Sequence, residues 1–240
     1  MAYFRAADER GRANFGWLNS KHSFSFGNYY DPKHMGFSTL RVINDDTVAP
    51  SGGFPPHGHR DMEIISVVLD GGLTHTDSMG HGSTIVPGDV QRISAGTGVM
   101  HSEFNASDER PLRFLQIWIT PGRRGIAPAY EQKHFSTEDK RGRVVLMGSP
   151  DGRQDSLTLN QDAFLYGTIV ESGQTLTHSP AENRAVYVHV IRGQLSINGQ
   201  HLADGDGLGL GHTDALVLAA TEESELLIFE LETETTALIK

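Results

Sequence analysis

The chain has 240 residues, enough for one large core or for two cores of about 120 residues each. A formal net charge of −10 opposes attraction to phosphate backbones and to anionic membranes, so direct nucleic-acid binding is excluded as an expected activity. The sequence contains no cysteine, which excludes disulfides, thiolate ligands and a cysteine nucleophile, and any metal must therefore be held by nitrogen and oxygen.

The compartment is inferred from what the sequence lacks. The N-terminal stretch MAYFRAADERGRANF carries charges of both signs and has no apolar block of the kind found in secretory signals. No stretch approaches the roughly 18 to 20 consecutive apolar residues of a membrane-spanning helix. We expect a cytoplasmic protein with no membrane segment, and nothing in the sequence determines its oligomeric state.

Short alternating runs predict β-strands along most of the chain. The predicted strands cover residues 38–43, 63–69, 83–87, 90–94, 113–120, 143–147, 164–170, 185–191, 194–198, 215–219 and 225–231. Glycine-rich turns such as DGG (70–72) and DGDG (204–207) separate them. Helix is expected only as short turns near 136–140 and 160–163. The pattern predicts an all-β protein of barrel or sandwich type.

The same order of strands and turns occurs in both halves of the chain. EIISVVLDGG and PGDVQRISAGTGVMHSE in the first half correspond to AVYVHVIRGQLSING and DGDGLGLGHTDALVLAA in the second. This repeat predicts two β-barrels of one kind, which we assign to residues 1–130 and 131–240. The polar stretch 128–142 lacks strand periodicity and is expected to connect them.

Two pairs of side chains have the spacing of metal ligands. His57 and His59, in FPPHGHRDMEII, are two residues apart on an extended segment, so their side chains point to the same side. His101 and Glu103, in GVMHSEF, repeat this spacing. Three imidazoles and one carboxylate suit a divalent first-row metal that keeps open coordination positions. Surface histidines paired by chance are the alternative.

Other candidate ligands remain open. Glu63 lies six residues after His57, on the same side of a regular strand, and is an alternative carboxylate ligand or a residue that orients an imidazole. His75 and His81 lie in a turn-rich segment and are expected at a rim or in solvent. The remaining histidines considered, which lack close partners or lie in irregular sequence, are His22, His34, His178, His189, His201 and His212.

Three stretches of the first half resemble the pirin family of the cupin superfamily. They are HSFSFGNYYDP (22–32), the long segment 37–80 and PGDVQRISAGTGVMHSEFN (87–105). The resemblance is dense over 22–121 and thinner beyond. It implies a bicupin fold with few short helices. It also implies one metal site, whose ligands are His57, His59, His101 and Glu103.

The resemblance further implies the activity of a quercetin 2,3-dioxygenase. One divalent ion, Fe(II) in the first instance, with Cu, Ni, Mn, Co or Zn as alternatives, would bind the 3-hydroxyl of a flavonol as its anion, because a Lewis acid lowers the pKa of a bound hydroxyl. Dioxygen would then open the heterocycle with release of carbon monoxide. Glu103 would take the hydroxyl proton as the catalytic base and remain a weak ligand. Phe54, Met62 and Phe104 are candidates for apolar walls of the pocket, with ordinary core packing as the alternative.

Two further hypotheses belong to other classes. The resemblance to the pirin family also implies, as an alternative, an iron-dependent module that senses redox state or binds proteins in a regulatory role. A cupin isomerase or sugar-binding barrel would require a pocket rich in Lys, Arg and Tyr near the metal.

Alignment of the two repeats tests for a second metal site. It places His178, Pro180 and Arg184 at the positions of His57, His59 and Glu63, and Leu218 and Ala220 at those of His101 and Glu103. Because only one potential ligand remains, the second barrel is expected to be metal-free.

Overall fold

The computed structural model describes residues 2–233. These residues form an all-β protein, as predicted, and its strands are arranged in four sheets. The strands of the first half are β1 (Ala2–Arg5), β2 (Gly11–Asn14), β3 (Leu18–His22), β4 (Leu40–Val48), β5 (Gly53–His59), β6 (Glu63–Asp70), β7 (Leu73–Asp77), β8 (Gly82–Ile85), β9 (Asp89–Ser94), β10 (Val99–Asn105), β11 (Leu112–Ile119) and β12 (Ala129–His134). Those of the second half are β13 (Val144–Ser149), β14 (Leu157–Thr158), β15 (Phe164–Val170), β16 (Thr175–His178), β17 (Arg184–Arg192), β18 (Leu195–Ile197), β19 (Gln200–Leu202), β20 (Gly207–Leu210), β21 (Leu216–Ala220) and β22 (Ser224–Glu232).

Helix is confined to short pieces. The predicted turn at 136–140 is confirmed as α1 (Thr137–Lys140), which begins with a capping box between Ser136 and Asp139. Residues 160–163 form no helix, and the nearest helical turn is a 3₁₀ segment at Arg153–Asp155. A second 3₁₀ turn covers Ala7–Glu9. Within residues 2–233, no helix has the length and apolarity needed to cross a membrane.

Every predicted strand is present, but the sequence pattern missed the short and the polar ones. The missed strands are β1, β2, β3, β5, β7, β10, β12, β14, β16, β19 and β20. Polar residues, glycine and proline are poor strand formers, and pairing with neighbours overrides that preference here. The expected connection at 128–142 was wrong in part, because Ala129–His134 pair with Asp89–Ser94 as β12.

The two halves repeat one sheet topology, which confirms the predicted duplication. The first half has a seven-stranded sheet in the order β12-β9-β6-β11-β4-β3-β2 and a four-stranded sheet in the order β5-β10-β7-β8. The second half has the orders β1-β20-β17-β22-β15-β13-β14 and β16-β21-β18-β19. The run β9-β6-β11-β4 therefore corresponds to β20-β17-β22-β15, and the four-stranded sheets correspond strand for strand.

The chain crosses between the two sheet systems at both ends of the first half. β1 pairs with β20 and so lengthens the second seven-stranded sheet. β12 pairs with β9 of the first sheet, so the predicted boundary between residues 130 and 131 falls inside a strand. The division into domains of 1–130 and 131–240 stays a prediction.

The two seven-stranded sheets pack against each other through a shared apolar core. Ile43 and Ile117 from the first sheet belong to one buried cluster with Tyr187 and Phe229 from the second. Side chains alternate along a strand, so the residues next to Ile43 on β4 point the other way, into the first barrel. One face of β4 therefore holds the halves together, and the opposite face lines the barrel interior.

Candidate metal centre and cavity

β5 and β10 bring the two predicted ligand pairs together. His57 lies opposite His101 in this antiparallel pair, and His59 lies opposite Val99. Beyond His101 the register shifts, so that Glu103 lies opposite Phe54. Pro55 and Pro56 occupy the bulge, where proline is tolerated because it has no N–H for the ladder.

The three predicted imidazoles converge. His57, His59 and His101 each offer a ring nitrogen, and these nitrogens lie within 4.8 Å of one another. The Nε2 atoms of His57 and His101 are 3.0 Å apart. The ring centroids are separated by 4.8 Å for His57 and His59, 4.4 Å for His57 and His101, and 4.8 Å for His59 and His101.

The protonation of these rings fits a metal site. His57 Nδ1 lies 2.9 Å from the carbonyl oxygen of Pro55 and donates to it, which leaves the Nε2 lone pair available. Burial, aided by the charge of His57, lowers the pKa of His59 to about 4, and burial with the neighbouring imidazoles lowers that of His101 to about 3. Neutral imidazoles are the form that binds metals, so the donor set fits a divalent first-row ion.

Glu103 is fully buried beside this group. Its ligand oxygen forms a second group within 4.8 Å with His75 and His101. Gln116 Nε2 donates to Oε2 at 2.9 Å, and Ser66 Oγ donates to Oε1 at 3.3 Å. Burial, with a contribution from the nearby Asp46, raises the pKa of Glu103 to about 7. Its role as the fourth ligand stays a prediction.

Glu63, the alternative carboxylate, lies elsewhere. Its Oε2 accepts hydrogen bonds from Ser94 Oγ at 2.8 Å and from the backbone N–H of Asn160 at 3.1 Å. It belongs to neither group of potential ligands found among residues 2–233. Glu63 therefore contacts the second half of the chain, and its carboxylate is engaged there.

A row of polar side chains supports the site and was missed from the sequence. The row runs across five strands of the seven-stranded sheet, each residue paired with the next: His22, Asn44, Gln116, Ser66 and Gln91. Ser66 and Gln116 interrupt the apolar runs EIISVVL and RFLQIWIT, and a polar residue inside a buried strand is the signal that points to such positions.

His75 is not at a rim, and that prediction was wrong. It is completely buried, with its ring centroid 5.4 Å from that of His101. His75 Nε2 lies 3.1 Å from Asp77 Oδ2, which also lies 3.2 Å from His81 Nδ1. His81 is exposed and stacks on Tyr130, in agreement with its predicted position. Pairing of β7 with β10 places His75 directly opposite Glu103.

A cavity of about 690 Å³ opens beside the imidazoles. His57, His59 and Glu103 contribute to its wall. Its aromatic wall residues are Phe15, Trp17, Phe26, Tyr29, Phe54 and Trp118. This size and apolar character are typical of small-molecule sites. The segment of residues 12–29 supplies much of the wall, although the sequence pattern there indicated only irregular structure.

The three predicted wall residues have different environments. Phe54 lines the cavity, with its ring centroid 6.3 Å from that of His57. Met62 packs against the small cluster that contains Ile64 and Ile93. Phe104 is 39% exposed and lies outside the cavity.

In the second barrel, the histidine that the repeat alignment compared with His57 is His178, and it forms a hydrogen bond. His178 Nε2 lies 2.8 Å from Glu230 Oε1. In the β16–β21 pair, Leu176 lies opposite Leu218 and His178 lies opposite Leu216. Because His57 lies opposite His101, the predicted alignments of His178 with His57 and of Leu218 with His101 do not both agree with this register. The absence of metal from this barrel stays a prediction.

Two family models match the chain in succession. The model described as Pirin matches residues 3–119, and the model described as Quercetinase C-terminal cupin domain matches residues 146–231. The two matches cover the two repeated halves of the fold.

Curated relatives match over nearly the whole length. A quercetin 2,3-dioxygenase of Escherichia coli (strain K12) is 45% identical over 231 residues, which are 96% of this chain and 99% of that protein. A pirin-like protein of Caulobacter vibrioides is 41% identical over 224 residues, 93% of this chain and 96% of that protein.

Solved structures also match the chain over nearly its whole length. The crystal structure of YhhW from E. coli superposes with a TM-score of 0.92 at 45% identity, covering 96% of this chain and 97% of that one. The bacterial pirin YhhW in complex with nickel(II) superposes with a TM-score of 0.92 at 44% identity, covering 97% and 99% of the two chains. The chain therefore belongs to the pirin family.

Proposed function

We propose that this protein is a metal-dependent dioxygenase that opens the heterocycle of a flavonol such as quercetin with O2 and releases carbon monoxide. The observation that carries the proposal is the convergence of three imidazoles, two of which line an aromatic-walled cavity of about 690 Å³ together with the buried carboxyl group of Glu103. The proposal is supported by relatives from two strains of Escherichia coli that bear the name quercetin 2,3-dioxygenase and are similar over nearly their full length.

His57, His59, His101 and Glu103 would hold the ion. When bound, the divalent ion supplies a Lewis acid that lowers the pKa of the flavonol 3-hydroxyl. The chain's contribution is to hold His59 and His101 neutral by burial and to keep one side of the ligand set open to the cavity. Fe(II) is our first assignment, and a relative's complex with nickel(II) makes Ni(II) the first ion to compare with it.

Glu103 is placed to accept the hydroxyl proton. A general base works best when its pKa lies near the operating pH, and burial raises the pKa of Glu103 to about 7. Ser66 and Gln116 hold the two carboxylate oxygens in fixed positions, so the acceptor does not have to be ordered when the substrate enters.

The aromatic walls exclude water and orient a planar ring system. Trp118 and His59 meet edge to face with centroids 5.1 Å apart, and Trp17 meets Phe54 in the same way at 5.1 Å. Rings packed in this manner are fixed in orientation, which favours a flat aromatic substrate over a flexible one. The lining contains one arginine, Arg12, and one tyrosine, Tyr29, among the described residues, so the site offers little support for sugar binding.

The test is oxygen consumption and loss of quercetin absorbance by protein loaded separately with Fe(II) and Ni(II). We expect turnover by the wild type, and loss of at least 100-fold in His57→Ala and Glu103→Gln. His201→Ala, an exposed histidine of the second half, is the matched control and should keep full activity.

Carbon monoxide should appear in a 1:1 ratio to quercetin consumed. Full metal occupancy without any turnover would contradict the proposal and favour the iron-dependent, redox-sensing module that binds a regulatory protein. Location in the cytoplasm remains a prediction that fractionation of the native host would check.

A further inference from the structure

His22 is a buried histidine on the cavity wall that the proposed chemistry does not use. It is the last residue of β3, is 4% exposed, and contributes to the lining of the same cavity as His57. Its Nδ1 atom lies 2.7 Å from Asn44 Oδ1. Its Nε2 atom has no hydrogen-bond partner among residues 2–233, yet it is not sealed in the core as the unpartnered Nδ1 atom of His189 is. The free ring nitrogen of His22 is therefore accessible from the cavity.

The hydrogen bonds of His22 fix its tautomer. Asn44 Oδ1 is an acceptor, so Nδ1 carries the proton and donates to it, with Ser20 Oγ at 3.3 Å as a second partner. Burial, aided by the charge of Arg10, lowers the pKa of His22 below its ordinary value against the opposite effect of the Asn44 bond, so the ring is neutral at pH 7. Nε2 then holds the lone pair, and the partner that it lacks is a hydrogen-bond donor.

Aromatic contacts connect His22 with the predicted metal ligands. The ring centroids of His22 and Phe26 are 5.4 Å apart. Phe26 meets Trp118 edge to face at 5.3 Å, and Trp118 meets His59 in the same way at 5.1 Å. All four rings line the cavity. A continuous aromatic wall therefore extends from one predicted ligand to His22.

Strand pairing gives the length of this wall. His22 on β3 lies opposite Asn44 on β4, and Asn44 lies opposite Gln116 on β11, the residue that donates to Glu103. Neighbouring strands are about 4.8 Å apart, so His22 lies roughly 10 Å from Gln116. A ligand that occupies the metal position and also reaches His22 must span that distance. A flat system of two or three linked rings does so, whereas a single ring is too short.

The ring of His22 is held in place before any ligand enters. Tyr29 stacks on it from another side, with the ring planes 22° apart and the centroids 6.4 Å apart. Arg5 Nη2 donates to the Tyr29 hydroxyl at 2.8 Å, which fixes Tyr29 in turn. Because His22 packs against both Phe26 and Tyr29, its Nε2 atom does not have to be ordered when a donor arrives.

We propose that His22 determines substrate specificity, because its Nε2 atom accepts a hydrogen bond from a phenolic hydroxyl at the end of the substrate that lies away from the metal. This inference rests on the proposed function for the aromatic substrate class. It narrows that class to flavonols with a second hydroxyl at one end of the ring system, since a substrate without one would cover Nε2 and leave it without a partner.

The experiment uses three probes on metal-loaded protein. 3-Hydroxyflavone carries only the metal-binding hydroxyl, whereas 3,7-dihydroxyflavone and 3,4′-dihydroxyflavone each add one hydroxyl, at opposite ends of the ring system, and none contains a metal-chelating catechol. Both tryptophans of the chain, Trp17 and Trp118, line the cavity, so quenching of their fluorescence under anaerobic conditions measures the dissociation constants. We expect the wild type to bind one of the dihydroxyflavones about 5- to 10-fold more tightly than 3-hydroxyflavone, the factor typical of one hydrogen bond.

His22→Phe keeps an aromatic ring beside Phe26 and Tyr29 but has no acceptor, so it should reduce this preference to less than about twofold. His22→Gln places a side-chain oxygen near the position of Nε2 and should keep a preference of at least about threefold. His201→Phe, the same substitution at an exposed histidine of the second half, is the matched control and should keep the wild-type preference.

Circular dichroism checks that each variant is folded. If the His22 variants fail to fold, methylation of the added hydroxyl tests the wild type directly, because a methoxy group has no proton to donate. The methylated probe should bind no more tightly than 3-hydroxyflavone.

A wild type that prefers neither dihydroxyflavone would overturn the inference, as would a preference that survives in His22→Phe or after methylation. Equal loss of the preference in His22→Gln and His22→Phe would also overturn it and leave His22 a packing role. Failure of the proposed function has a different signature. Absence of oxygen consumption with quercetin, with the binding preference present in the wild type and lost in His22→Phe, would remove the dioxygenase and leave His22 as a recognition residue.

Discussion

Gln116 Nε2 donates a hydrogen bond to Glu103 Oε2 across the interior of the first barrel, over a distance of 2.9 Å. The two residues lie on β11 and β10, which belong to different sheets. The bond therefore ties the carboxylate of the four-stranded sheet to the polar row of the seven-stranded sheet. Outer partners of this kind orient the groups that bind metals and set their proton affinity.

Gln116→Ala should weaken metal binding by about 10- to 100-fold, because Glu103 loses the donor at 2.9 Å from its Oε2. A donor to the carboxylate stabilises its charged form, so the pKa of Glu103 should also rise further above its ordinary value. The measurements are the metal dissociation constant by competition with a chelator and the pH profile of binding. Gln200→Ala, at an exposed position of β19, should change neither. Equal metal affinity in Gln116→Ala and the wild type would show that Glu103 needs no such support.

Gly53 is required by the close pairing of β5 with β10. A Cβ at this position would lie 2.5 Å from the carbonyl oxygen of Glu103 and 2.6 Å from the Cα of Phe104, so the strands would have to separate. We expect Gly53→Ala to lower metal affinity at least 10-fold while the protein stays folded, as checked by circular dichroism and metal titration. Gly82→Ala is the control, since the nearest atom to its added Cβ is 3.9 Å away.

Asp45→Asn should destabilise the protein by about 3 to 5 kcal/mol, because it leaves the buried Arg10 and the half-buried Arg113 without their carboxylate. Burial alone would raise the pKa of Asp45, but the hydrogen bonds and charges of Arg113 and Arg10 outweigh it and hold that pKa below its ordinary value. Stability from this residue is therefore present above pH 4 and is lost as the pH falls further. Urea unfolding at pH 7 measures the loss.

Asp46→Asn should have the opposite effect in metal-free protein. The folded-state pKa of Asp46 is raised from 3.8 to about 7, so the wild type loses stability as the pH rises from 4 through 7. Because asparagine cannot ionise, the free energy of unfolding of the variant should exceed that of the wild type by about 1 to 4 kcal/mol at pH 8. At pH 4 the two values should be almost equal. Urea unfolding at the two pH values gives the difference. A variant less stable than the wild type at pH 8 would show that Asp46 has a compensating partner.

His189 should contribute to loss of stability in acid. Complete burial, with the charge of Arg10, lowers its pKa to about 3, so the folded protein keeps it neutral while the unfolded chain binds a proton below about pH 6.5. Stability then falls as the pH falls from 6.5 towards 3. In metal-free protein, the free energy of unfolding of His189→Gln should rise relative to that of the wild type by about 2 kcal/mol when the pH is lowered from 7.5 to 5. His201→Gln should show no such gain, and thermal unfolding at both pH values distinguishes them.

The sequence by itself determined the features that depend on local periodicity. Alternating runs predicted eleven strands that are present, and the repeated order of strands and turns predicted two barrels of one kind. The spacing of His57 with His59 predicted that both rings share one side of an extended segment, and the three imidazoles do converge. Side-chain direction alternates along any strand, so the shared side of His57 and His59 needs no knowledge of neighbouring strands, whereas their meeting with His101 depends on the pairing of β5 with β10.

Only the tertiary structure decided which residues meet across strands. The burial of His75, the engagement of Glu63 by Asn160 and the aromatic walls supplied by residues 12–29 depend on pairings between distant parts of the chain. Asp45 and Asp46 are neighbours of the same type, yet one is compensated between the barrels and the other lies on the cavity wall. Cross-strand register and sheet packing place them, and neither is encoded in a short stretch of sequence.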